Sequence, residues 1–354
     1  MVPGMAQRQE KEEATEEITE VAPGVLRLQL PIDFTGLGHV NCYALEDERG
    51  FALVDPGMPG PTSWQALLGR LALAEIPLTR VHTVVVTHSH PDHFGAAGML
   101  AQETGADVVA HERFRTLFDL NDLDDRELED ADPDEDPELA AFILRLDTPR
   151  PSPWGGEGLG PPPERLAEIR ANAAMALPWM RPPRPSSHLG DLDRIRLGRR
   201  EWVALDTPGH TDDHLCLYDE EHGVLLSGDQ VLPSITPHIS GMVEDSVQRY
   251  VDSLDRLTGI GRVEVTLPAH GHPITDLKGR VTELHDHHDE RLTELRRHGE
   301  ELGGASVTDL SHKLFKPRSW GAMAEDETYA HLEHLRRRGE AQVREEAGVL
   351  LYRT

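Results

Sequence analysis

Along most of the chain, short apolar runs alternate with segments whose apolar residues recur every three or four positions. Val25–Leu30, Cys42–Leu45 and Phe51–Val54 read as strands. From Ser63 to Ala74, Trp64, Leu67, Leu68 and Leu71 share one side of a predicted helix. The β-branched run Val81–Thr87 predicts a strand buried on both faces, followed by a helix over Ala97–Glu103 and a strand over Ala106–Ala110. Such alternation predicts a layered α/β fold. Strands resume at Trp202–Leu205, His214–Tyr218, Val224–Leu226 and Val263–Leu267. After Ile274 the pattern turns helical and charged. Val281–Leu302, Ser306–Phe315 and Asp326–Gly339 predict three helices, and Val343–Tyr352 a small hairpin.

Two stretches depart from this rhythm. Residues 1–20 are rich in Glu and lack periodicity, which predicts a disordered, solvated acidic tail. Residues 112–190 carry twelve acidic side chains between Asp119 and Glu138, then helical patches at Ala140–Leu146 and Glu164–Ala176 among Pro- and Gly-rich spacers. We read them as a helical insertion, serving either as a lid over a site or as solvated decoration. The expected division is a tail (1–20), a catalytic domain (21–274) that contains the insertion, and a C-terminal module (275–354).

Composition narrows the function classes. A formal net charge of −28 over 354 residues repels phosphate backbones and anionic lipid, so nucleic acid and membrane surfaces are disfavoured partners. No run approaches the roughly 20 apolar residues that span a bilayer. Two cysteines, Cys42 and Cys216, make no disulfide framework, and no secretory leader is visible, so a reduced cytoplasmic setting is expected. Cys42 lies in an apolar strand and reads as a buried structural thiol.

The chemistry concentrates in Thr87-His88-Ser89-His90-Pro91-Asp92-His93, at the end of the Val81–Val86 strand. Four candidate ligands within six residues would repel one another once the imidazoles were protonated, and a dication removes that conflict. Three later strands end in the same way. One runs into Asp206-Thr207-Pro208-Gly209-His210, another into Ser227-Gly228-Asp229, and a third into Pro268-Ala269-His270. Each puts a ligand-type side chain just past an apolar strand, where α/β folds gather their sites.

With this motif order, from Val25 to Ile274 the sequence resembles the metallo-β-lactamase superfamily. The resemblance implies an αββα sandwich with His88, His90 and His210 on one metal and Asp92, His93 and His270 on a second. Asp229 would bridge the two, and Asp55 would act as a supporting residue behind the ligand loop. It further implies two Zn²⁺ ions, with iron or manganese as alternatives, and a bridging hydroxide that Asp92 and Asp229 orient as the catalytic carboxylates. An intact ligand set with a bridging Asp is similar to the glyoxalase II, thioesterase, lactonase and phosphodiesterase branches. The C-terminal pattern, including Tyr329-Ala330-His331-Leu332-Glu333-His334-Leu335, is similar to the winged-helix-like tail of the LACTB-two-like branch.

The expected reaction is hydrolysis of a thioester or related acyl bond in a small or carrier-linked substrate, by a monomer or homodimer. A phosphodiesterase or ribonuclease, a lactonase, and a binding protein retaining the fold are the alternatives. Asn41, His238, Trp154 and Trp179 are candidate substrate contacts, the two tryptophans forming an apolar wall with Met175 and Met180. His285-Asp286-His287-His288-Asp289 reads as a solvated helix face in preference to a second metal site.

Overall fold

In the computed structural model of the protein, the described residues are 8–32, 36–116, 151–155 and 183–354, with Ala167, Ala171 and Trp179. Two sheets pack face to face. The first runs in chain order through β1 (Thr19–Ala22), β2 (Val25–Pro31), β3 (His39–Glu46), β4 (Phe51–Val54), β5 (Val81–Val85), β6 (Asp107–His111) and β7 (Ser187–Leu189). It is antiparallel as far as β4 and parallel from β4 to β7. Helices α1 (Pro61–Leu73), α2 (Pro91–Phe94) and α3 (Ala97–Thr104) fall within this half. The second sheet contains β8 (Arg194–Leu197), β9 (Arg200–Asp206), β10 (Leu215–Asp219), β11 (Val224–Gly228) and β12 (Val265–Pro268), in the order β12-β11-β10-β9-β8. Helices α4 (Ser246–Gly259) and α5 (Leu277–Leu302) belong to its half. The chain ends with β13 (Ala305–Ser306), α6 (Val307–Leu314), α7 (Ala322–Arg337), β14 (Gln342–Glu346) and β15 (Val349–Arg353).

Strand periodicity explains the four layers. Along β3, Tyr43 and Leu45 face the second sheet, where they meet Trp202, Ala204, Leu215 and Leu217. Val40, Cys42 and Ala44 point the other way, onto Trp64, Leu67 and Leu71 of α1. In the second sheet Val203, Leu205, Cys216 and Tyr218 face Tyr250 and Leu254 of α4 and Val281 and Leu284 of α5. Both faces of both sheets are covered, which gives the expected αββα sandwich. Helix α4 has no counterpart among the sequence expectations, although Val247, Tyr250, Leu254 and Leu257 recur at helical spacing.

The C-terminal elements share a further core of Leu292, Leu295, Val307, Leu310, Leu332, Leu335 and Tyr352. The three-stranded sheet β13-β15-β14 closes it, and the expected hairpin is its β14–β15 pair. A capping box between Ser306 and Asp309 starts α6. Among the described residues no helix is long and apolar enough to cross a membrane.

Two expectations change on this frame. Residues 8–20 are not a solvated tail. They form a 3₁₀ turn at Gln9–Lys11 and then enter β1, and the Glu10 carboxylate is fully buried. An acidic segment packs here because its carboxylate and carbonyls meet donors from distant loops. The second concerns 112–190, where residues 187–189 pair with β6 as a strand of the first sheet. The acidic run, Met175, Met180 and, apart from Ala167 and Ala171, the helical patches lie outside the described residues.

Candidate metal centre

The side chains of the motif are aimed by the loops just past each strand end. Asp55, directly after β4, has a φ of 56°. That left-handed conformation is tolerated by Asp and turns its carboxylate towards the end of β5. There it accepts from Thr87 N at 2.9 Å, Thr87 Oγ1 at 2.8 Å and His93 Nδ1 at 2.9 Å. Because Thr87 spends its hydroxyl proton on Asp55, its oxygen accepts from His88 Nδ1 at 3.0 Å. His210 Nδ1 donates to the His238 carbonyl at 2.7 Å, and His270 Nδ1 to the His39 carbonyl at 2.6 Å. These acceptors fix the Nδ1 proton of His88, His93, His210 and His270 and turn each Nε2 inward.

Around His90 the consequence is two facing lone pairs, on His88 and His210, with at most one proton to share. His90 Nδ1 lies 3.1 Å from His88 Nε2 and 3.0 Å from His210 Nε2, and one nitrogen cannot satisfy both. Burial lowers the pKa of His88, His90 and His210, and the neighbouring imidazoles lower those of His88 and His90 further. A cation shared by the three nitrogens resolves the arrangement.

Beside this trio, His270 Nε2 lies 3.2 Å from Asp229 and 3.4 Å from Asp92, and His93 Nε2 lies 3.6 Å from Asp92 and 3.7 Å from Asp229. His93 Nε2, His270 Nε2 and Asp229 Oδ1 are buried without a hydrogen-bond partner. Burial opposes charge on His93, yet Asp92, Asp55 and Asp229 outweigh it and raise its pKa well above the ordinary value. Burial likewise opposes the Asp229 anion, and His270 and His93 overcome it. This half therefore draws positive charge inward. His88, His90, His210 and Asp229 form one group whose ligand atoms lie within 4.8 Å of one another, and Asp92, His93 and His270 form the other. The donors fit a pair of divalent cations. His90 and Asp92 keep partial contact with solvent, so the centre opens on their side.

Several supporting residues were not anticipated. His214 Nε2 accepts from Asp229 N at 3.0 Å, and its Nδ1 donates to Thr207 Oγ1 at 2.9 Å. Gly228 makes room for this contact, since a Cβ there would lie 2.6 Å from His214 Nε2. Asp213 accepts from Ser89 Oγ at 3.1 Å, and its burial pushes its pKa up to about 6. His39 accepts from Gly271 N at 3.0 Å. Only adjacency marked these residues in the sequence: His214 follows the His210 loop, and His39 sits two positions before Asn41.

The candidate substrate contacts separate. Asn41 is fully buried in β3, where its amide donates to the carbonyls of Pro268 and Gly271 at 2.9 Å each. It braces the His270 loop instead of lining a cleft. His238 does reach the centre, through the carbonyl that holds His210. Its Nε2 lies 3.0 Å from Asp326 of α7 and its Nδ1 lies 3.7 Å from Glu327. Burial opposes its charge, but these carboxylates raise its pKa to about 9. Trp154 is not part of a wall above the metals: it sits in the C-terminal core and donates to Glu325 at 2.9 Å. Trp179 packs, half-buried, against the helix-side core of the first sheet. In the His285–Asp289 cluster His288 is buried, not solvated, with its Nδ1 3.0 Å from His331 Nε2. No additional metal-type group occurs among the described residues.

The profile of the metallo-beta-lactamase superfamily matches residues 35–296. The chain belongs to that superfamily, and fold and site together define it as a metallo-hydrolase. Among its relatives, a probable metallo-hydrolase, YqjP of Bacillus subtilis, is 24% identical over 285 residues, 77% of this chain and 79% of that protein. The acyl-coenzyme A thioesterase MBLAC2 of Gallus gallus is 31% identical over 191 residues, 51% of this chain and 64% of that one. Of solved structures, a metallo-beta-lactamase family protein from Thermus thermophilus matches with a TM-score of 0.71 at 28% identity, covering 95% of this chain and 100% of its own. A beta-lactamase domain protein from Burkholderia ambifaria matches with a TM-score of 0.72 at 26% identity, covering 98% and 97%.

Proposed function

We propose that this protein hydrolyses a thioester or related acyl bond of a small or carrier-linked substrate, with two zinc ions, or iron or manganese in their place, held by the seven ligands. The observation that carries the reading is the convergence of bare imidazole nitrogens on two adjacent points with the Asp229 carboxylate between them. Its bias towards thioesters comes from the likeness to a relative named as an acyl-coenzyme A thioesterase.

Two bound divalent cations supply a water ionised near neutral pH and a Lewis acid for the acyl oxygen. The chain supplies the rest. His88, His90 and His210 would hold one cation; Asp92, His93 and His270 would hold the other. Asp229 reaches both halves, 3.6 Å from His210 Nε2 and 3.2 Å from His270 Nε2. Its depressed pKa keeps it an acceptor at neutral pH, able to orient the proton of an attacking water. Asp92, on the solvent side, is placed to take up and return a proton. With water as the nucleophile no protein nucleophile is needed, and a thiolate departs more readily than an alkoxide. Cys42 and Cys216 are buried and free, which suits a reduced cytoplasmic setting and leaves neither thiol available for attack. The order of α5, β13, α6, α7 and the terminal hairpin supports a winged-helix-like reading of the C-terminal module, as in the glyoxalase II-related branch.

The test is thiol release from a panel of acyl-coenzyme A and acyl-glutathione thioesters by the zinc-loaded protein. Release that a chelator abolishes is the expected result. A fully metallated sample that frees no thiol overturns the thioester reading and directs the same assay to lactones and phosphodiesters.

A further inference from the structure

Residues 9–12 cross three loops that converge on the metal centre. The Glu10 carboxylate accepts from Ser234 N at 2.7 Å, from Ile235 N at 3.1 Å and from the Ser234 hydroxyl. These donors lie a few residues beyond Asp229. The backbone of the same segment reaches the other side of the site. Glu10 O accepts from Gly38 N at 2.8 Å, and Glu12 O accepts from His39 Nδ1 at 2.7 Å. Gln9 Oε1 accepts from His272 N at 3.1 Å, and Glu12 Oε2 lies 2.9 Å from His272 Nε2.

The link to the ligands is chemical as well as spatial. Because His39 gives its Nδ1 proton to Glu12 O, its Nε2 carries a lone pair, and that lone pair accepts from Gly271 N at 3.0 Å. The His39 carbonyl in turn takes the His270 Nδ1 proton at 2.6 Å. The ring that Glu12 fixes thus grips the residue after His270, while its own carbonyl aims His270 itself. Gly38 permits the close approach, since a Cβ there would lie 2.1 Å from Glu12 O.

A buried carboxylate is a costly anchor in a chain of net charge −28, and an apolar side chain would hold a surface segment equally well. What the carboxylate adds is direction: it binds consecutive amides of one loop and so sets the position of the whole segment. We propose that Glu10 is a positioning residue of the metal centre, pinning the N-terminal segment across the loops beyond Asp229 and around His270 so that the His270 imidazole is held on its metal. The inference rests on the two-cation reading above.

The experiment uses the full chain with zinc alone. Glu10→Ala, Glu10→Gln and Gly38→Ala are compared with wild type by competition against a chromophoric chelator and by Tm with and without zinc. In Glu10→Ala one of the two zinc equivalents should bind about tenfold more weakly while the other stays within about twofold. The rise in Tm on zinc loading should shrink, as linkage requires when affinity falls. Gly38→Ala, which displaces the segment from the opposite side, should weaken the same equivalent. Should Glu10→Ala fail to fold, Glu10→Gln keeps the volume and one acceptor and is read in the same way. Parallel falls in both Tm values with zinc affinity unchanged would falsify the proposal, because Glu10 would then be merely structural. Equal weakening of both equivalents also overturns it. A wild-type chain that takes up no zinc, iron or manganese sinks the reading of the centre itself.

Discussion

The two halves of the centre solve the same problem by different means. The half formed by His88, His90 and His210 is three facing neutral imidazoles, all with lowered pKa values. The other places two imidazoles against the carboxylates of Asp92 and Asp229, and raises the pKa values of His93 and His270. The first attracts a cation by lone pairs that have nowhere else to go; the second does so by net charge. They are also anchored differently. His210 is aimed by a loop clamped to α7 through Asp326, which accepts from Gly241 N at 3.0 Å and binds His238. His93 is aimed by Asp55, and His270 by the N-terminal segment through His39. A centre built in this way should lose its metals unequally when one support is removed.

Three substitutions probe that contrast. Asp229→Asn, which touches both halves, should cut turnover about a thousandfold, equivalent to roughly 4 kcal/mol in the barrier. Elemental analysis after gel filtration should show metal content falling below two equivalents. Unchanged turnover would overturn the role of Asp229 as the carboxylate shared by both halves. Asp55→Asn puts an amide where Thr87 Oγ1 and His93 Nδ1 now donate, so it should weaken both equivalents by about 10–100-fold. If only one equivalent responds in the chelator competition, Asp55 serves one half and the tautomer argument for His88 fails. Asp326→Asn should weaken only the trio's cation, by roughly tenfold or less. Loss from both halves in that variant would mean that α7 supports the centre as a whole.

A further expected effect lies away from the metals. His331 donates from Nδ1 to the Glu327 carbonyl and accepts from His288, in a site that also faces His287, Arg291 and Tyr250. Burial, with Arg291 and His287 adding to it, lowers its pKa to about 4, against the opposing pull of Glu327. Its neutral form is favoured by folding. The contribution is therefore fully present above about pH 6.5 and is lost as the pH falls towards 4. In thermal melts of metal-free protein, His331→Gln should flatten the acid limb by at most about 1.4 kcal/mol per pH unit. An unchanged limb would place the acid sensitivity in the ligand histidines.

What was legible in the sequence depends on how local each feature is. His88, His90, Asp92 and His93 lie within one turn and a short helix, and His210, Asp229 and His270 each come after a strand that its own apolar residues announce. The ligand set could therefore be read without knowing how the strands pair. The fold was legible for the same reason, since β2 to β6 and β9 to β12 are short apolar runs, whereas the more polar edge strands β1, β7 and β8 were not. Residues whose roles depend on partners far along the chain were not. Asn41 reads as a substrate contact because nothing nearby reveals that Pro268 and Gly271 accept its protons. Trp154 resembles a pocket wall because its neighbours Leu295 and Tyr352 are more than a hundred residues away. Glu10 sits in an acidic stretch whose composition signals solvent, and only three donors near residue 234 overrule that signal. Helix α4 is legible in its spacing, but its strongly polar remainder hides the apolar stripe.

The reach of residues 9–12 also sets a timetable. Gln9 and His272 are separated by 263 positions, so the contact cannot form until the ribosome has made both. At roughly 5–20 residues per second, the segment waits about 13–53 s after its own synthesis before its last partner emerges. Residues 9–12 are therefore made early and are among the last to dock. A nascent chain can pair β2, β3 and β4 early, yet it cannot present a finished cation site until His270 has been made.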